Sequence, residues 1–76
     1  MMSEHEMLVP MVLAIVRDIL VSDNGAYDDL RVEADQIIYT LEGTTVRADI
    51  PHPITNVFED GQKVASVLNS LLTGGV

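Results

Sequence analysis

Histidines and neighbouring carboxylates are the groups in this chain that could do chemistry. His5 lies between Glu4 and Glu6, and His52 lies between Pro51 and Pro53. A histidine can move protons or ligate a metal near neutral pH. On a helix, however, Glu4 and Glu6 point to different sides, so the His5 triplet does not converge on an ion. It reads as a solvated helix start. His52, stiffened by two prolines, reads as a turn residue; its functional reading would be a pH-sensitive contact or a lone acid–base group.

Adjacent acids occur at Asp28-Asp29 and Glu59-Asp60. General acid–base work by carboxylates needs one of them set in an apolar pocket, and these pairs sit in polar stretches. Nucleophilic catalysis needs a base beside the nucleophile and a third group to hold that base. The chain has two histidines and no cysteine. It has no glycine-rich phosphate loop, no His-Glu-x-x-His and no zinc spacing. The acids of the Asp23–Asp29 loop do not alternate as a calcium loop requires. A protein that is not an enzyme, with no cofactor and no metal, is expected.

Charge is more informative. Twelve acids against four basic residues leave a formal net charge of −8 on 76 residues, in a chain that is still 47% hydrophobic. A disordered acidic tail would be poor in aliphatics, so this chain is expected to fold. A compact body in a negative shell repels nucleic acid and phospholipid and attracts basic protein surfaces. The partner read from composition is therefore another protein with a basic surface, with no nucleic acid and no membrane. Adaptation to a high-salt habitat is the competing explanation of the acidity.

The chain is expected to form one domain over residues 1–76 with one small core. The first residues are acidic where a signal peptide would be basic. The apolar run Met7–Val16 is shorter than the roughly 20 residues that cross a bilayer. A cytoplasmic protein is expected.

The elements follow from periodicity. A first helix is predicted over about residues 3–21, opened by a Ser3-x-x-Glu6 capping box. Leu8, Val12, Ile15 and Ile19 form one apolar stripe, and Val9, Leu13, Val16 and Leu20 form another. Pro10 should either kink this helix or mark its start near Val9. With Arg17 and Asp18, it falls on the solvent side. Two stripes make a wide apolar face, wider than one small sheet needs. Exposed apolar surface of that kind marks a contact with another chain, so a homo-oligomer, in the simplest case a dimer, is expected to form through Met7, Met11, Leu8, Val12 and Ile15. The plainer alternative places this helix between the sheet and a second helix.

Ser22-Asp23-Asn24-Gly25 should end the helix. Three strands with period two follow, over about 30–34, 37–42 and 45–50. A Gly43-Thr44 turn would pair Leu41 with Val46, Tyr39 with Ala48 and Ile37 with Ile50. A Glu42-Gly43 turn would keep the same facing but pair Leu41 with Thr44, which packs less well. A turn at Asp35-Gln36 would set Val32 opposite Tyr39. Pro51-His52-Pro53 ends the sheet. A last helix is predicted over about 60–72 with Asp60 as N-cap, or from near Asn56, and Gly74-Gly75 stops it.

The fold class expected is α+β: a two-layer α-β-β-β-α domain, its three-stranded antiparallel meander covered by both helices on one face. Double-stranded-RNA-binding domains share this order, but they meet phosphates with basic residues at the start of their second helix. Here that stretch is Phe58-Glu59-Asp60-Gly61-Gln62-Lys63, one lysine beside two acids.

The function expected is a non-catalytic, self-associating, acidic protein-binding module. It would act as an inhibitor or adaptor on a basic partner surface, nucleic-acid mimicry being one form of this, with Asp28, Asp29, Glu59 and Asp60 as binding residues. The alternative is a small structural or assembly subunit, such as a viral one, working through the apolar first helix. The polar sheet face (Arg31, Glu33, Thr40, Glu42, Thr45, Arg47, Asp49) mixes signs and reads as ordinary solvated surface.

Overall fold

The computed structural model describes residues 1–74. Helix α1 (Glu4–Asn24) is followed by strands β1 (Asp29–Glu33), β2 (Gln36–Leu41) and β3 (Thr44–Asp49), then helix α2 (Val57–Leu72). The strands form an antiparallel sheet in the order β1-β2-β3. Both helices pack on one face of it and against each other. The α+β meander expected from the sequence is the fold.

Helix α1 opens with the expected capping box: Ser3 Oγ accepts from the Glu6 amide, and Glu6 reaches back to the Ser3 amide. The helix runs through Pro10 rather than starting at Val9, and Pro10, Arg17 and Asp18 are all exposed. It also runs past the expected end at Val21 to Asn24. Gly25 closes it at φ 85°, donating its amide to the Val21 carbonyl, a conformation that glycine adopts without steric penalty. Val12, Val16 and Leu20 form the fully buried stripe. Leu8, Val9, Leu13 and Ile19 pack half-buried beside it.

Both tight turns differ from the favoured expectation. The β2–β3 turn is Glu42-Gly43, so Leu41 faces Thr44, Tyr39 faces Val46 and Ile37 faces Ala48. The β1–β2 turn is Ala34-Asp35, so Val32 faces Ile37 and Leu30 faces Tyr39. In each turn both central residues have positive φ: Ala34 50° and Asp35 61°, Glu42 50° and Gly43 83°. That is the twist-matched two-residue hairpin geometry. The backbone twist outweighs the better Leu41–Val46 packing, and the apolar facing is unchanged.

Helix α2 begins at Val57, not at Asp60. Asn56 is the cap, its side chain accepting from the Glu59 amide, and Val57 packs against the core. Gly75, half of the expected stop, lies outside the described residues. The core joins Val12, Val16 and Leu20 to Ile37, Tyr39, Ala48, Ile50 and Ile54 and to Val64, Ala65 and Leu68. The opposite sheet face is polar. At its centre Ile38 is nevertheless fully buried, set between Arg31 and Arg47 in the strand register, whose aliphatic stems can cover it.

Candidate functional site

The two helices run parallel, and one residue fixes how closely. A methyl group placed on Gly61 would lie 2.5 Å from Ile15 Cγ2 and 2.8 Å from Ile15 Cβ. Only glycine allows this approach. Farther along, Asn69 donates to Asp23 at 2.8 Å and accepts from Asn24 at 2.9 Å, while Asn24 also donates to the buried Tyr39 hydroxyl at 3.1 Å. These bonds tie the C-terminal ends of both helices to the sheet.

The outer side of this helix pair, away from the sheet, carries three of the exposed large apolar groups; others, such as Val32 on β1 and Val67 and Leu71 on α2, lie elsewhere. Phe58 is 67% exposed and Met11 52%, with Met7 similar. From the Ile15–Gly61 contact, one turn back along each helix reaches Met11 and Phe58, which therefore stand level across the groove between the helices. One turn forward, a cleft of about 360 Å³ lined by Ile19, Asp23, Gln62, Ser66 and Asn69 continues the same groove. The groove therefore has an apolar stretch at Met7, Met11 and Phe58 and a polar stretch beyond it.

The residues expected to self-associate divide. Met7 and Met11 are exposed, and Leu8 and Ile15 are half-buried. Val12 is fully buried in the core and cannot touch a second chain. The face that looked too wide is covered on one side by the sheet and on the other by α2.

The residues expected to bind a partner do not converge. Asp28 and Asp29 lie at the β2–β3 turn end of the sheet, where Asp28 accepts from the Glu42 amide at 2.8 Å. Asp29 is ion-paired with Arg31 along strand β1, and Arg31 also bonds Glu33. Those two acids, Glu33 first, push the Arg31 guanidinium above its ordinary range. Glu59 is exposed in the first turn of α2, at the other end. Asp60, expected at the surface, is 5% exposed. Its carboxylate accepts from the Thr55 amide at 3.0 Å and the Asn56 amide at 3.3 Å, so it holds the entry to α2 and is spent on that.

Sequence reasoning missed that the two histidines meet. His5 Nε2 donates to Asp35 Oδ1 at 2.7 Å, and the His5 ring packs on the His52 ring with centroids 4.1 Å apart. Position in the sequence gave no sign of this, because the partners come from α1, the β1–β2 turn and the loop before α2. The rings edge a cleft of about 300 Å³ lined by Ser3, Glu4, His5, Leu8, His52, Pro53 and Ile54. His5 Nδ1 is buried without a hydrogen-bond partner, and Ser3 Oγ is committed to the helix cap. The cluster thus clasps three segments; it does not present a nucleophile with a base. Among the described residues, no group of three or more His, Cys, Asp or Glu is placed to hold a metal ion. No helix among them is long and apolar enough to cross a membrane.

No family model matches this chain, and neither a curated protein nor a solved structure matches it.

Proposed function

We propose that this domain is a non-catalytic, acidic protein-binding module that acts as an inhibitor or adaptor on a basic surface of another protein, in the cytoplasm. The observation that carries this reading is the unbalanced charge. Among the described residues, ion pairs engage only Asp29 and Glu33, both with Arg31, and Asp35 with His5. Asp18, Asp23, Asp28, Glu42, Asp49 and Glu59 have no cationic partner, so their field reaches outward. Such a field speeds encounter with a basic patch and rejects polyanions.

The test is capture of the protein with its partners from its native cells, followed by salt elution and identification by mass spectrometry. Partners with basic surfaces should elute between about 0.1 M and 1 M salt, as the screening length falls from about 10 Å to about 3 Å. Recovery of nucleic acid, or of acidic proteins only, would contradict the reading.

Self-association through α1, as a dimer or as a structural assembly subunit, is the second reading. It is favoured by the exposure of Met7 and Met11. Sedimentation equilibrium tests it: a dimer that Met11→Arg dissociates supports it, and a monomer at all concentrations removes it.

A further inference from the structure

The outer groove between α1 and α2 is an apolar seat within an acidic rim, and we propose that it receives a basic amphipathic helix of the partner protein. The inference rests on the reading above and supplies its site and the chemistry of its ligand. Met7, Met11 and Phe58 are exposed, large and apolar. Unbranched methionines adapt to the shape of an incoming side chain. Asp18 stands on the outer side of α1, close in angle to Met7 and Met11, and Asp23 lines the polar stretch of the groove. Arg17 lies two residues beyond the Ile15–Gly61 contact, on the flank of α1 turned away from α2. Lys63 follows Glu59 by one turn on α2 and lines the same surface cleft, so the acidic excess of the groove is held by α1.

Helix-in-groove docking reads apolar anchors at i, i+3, i+4 and i+7. A ligand with leucines at that spacing would fill the seat, and lysines or arginines beside them would meet Asp18 and Asp23. A second copy of this chain fits worse. It would bring its own net charge of −8 to the same rim.

The probe is a fluorescent helical peptide of about 14 residues, roughly 21 Å long, with leucine at those positions and lysine elsewhere. Fluorescence anisotropy compares it with a scrambled peptide of the same composition. The intact protein should bind the helical peptide more tightly than the scrambled one. Met11→Glu and Phe58→Glu should each weaken binding by about tenfold or more, as loss of a central apolar anchor does, although each adds a carboxylate that favours lysine. Arg47→Glu, on the opposite sheet face, should not weaken it.

If the helical peptide is bound and both groove variants bind it as tightly as the intact protein does, the groove is not the site, while the acidic-binder reading survives. Equal affinity for the scrambled peptide likewise removes only the groove. Failure to bind either peptide at low salt would overturn both. A dimer dissociated by Met11→Glu would show that a second copy occupies the groove, which also overturns the proposal.

Discussion

Ile15 rests directly on the bare backbone of Gly61, so close that a methyl on Gly61 would stand 2.5 Å from Ile15 Cγ2. This contact sets the spacing of the helices, and the spacing sets the depth of the groove between them. Because Ile15 Cβ is also within 2.8 Å of that methyl, changing the Ile15 rotamer cannot relieve the clash.

Gly61→Ala should therefore destabilise the domain by about 1–3 kcal/mol, the usual cost of overpacking, despite alanine's better helix propensity of about 1 kcal/mol. Urea denaturation measures it. A stabilised variant would mean that the helices do not approach so closely.

Asp60→Ala removes the acceptor of the Thr55 and Asn56 amides and leaves these donors short of a partner. A loss of about 2 kcal/mol is expected from bonds to a charged group. Glu59→Ala, one residue earlier and exposed, should change stability by less than about 0.5 kcal/mol. Equal effects of the two would contradict the buried placement of Asp60.

Met11→Arg should leave stability within about 0.5 kcal/mol of the parent, whereas Val12→Arg should abolish folding by burying an unpaired charge in the core. Circular dichroism melting curves of the two variants decide this.

Glu42 and Ala34 occupy left-handed turn positions, at φ 50° each, that suit asparagine better. Glu42→Asn and Ala34→Asn should each raise stability by a few tenths to about 1 kcal/mol. A destabilising Glu42→Asn would contradict the left-handed conformation of Glu42 in this turn.

Alternation and helical period made the element order, the apolar sheet face and the Ser3 cap legible in the sequence. Turn positions were less so. Shifting a two-residue turn by one position preserves the apolar facing when both strands alternate, so Leu41–Val46 and Leu41–Thr44 were separable only by backbone twist, which residue types report weakly. Asp60 misled for a related reason. An acid at a helix start has the same composition whether it caps in solvent or turns inward to bind Thr55 and Asn56. The apparent excess of apolar surface on α1 came from treating that helix alone; α2, through glycine at position 61, covers much of it. The His5–His52–Asp35 cluster was not legible at all, because it depends on three distant segments meeting at one end of the sheet.

The central claim, that an acid-rimmed groove on the helical side receives a basic partner, is tested most directly by NMR. Backbone amide shifts of the labelled protein would be followed as the leucine–lysine helix is added. The account predicts perturbations confined to the outer sides of α1 and α2, around Met7, Met11, Asp18, Phe58 and Gln62. Perturbations centred on Arg31, Ile38 and Arg47 of the open sheet face, or none at all, would contradict it.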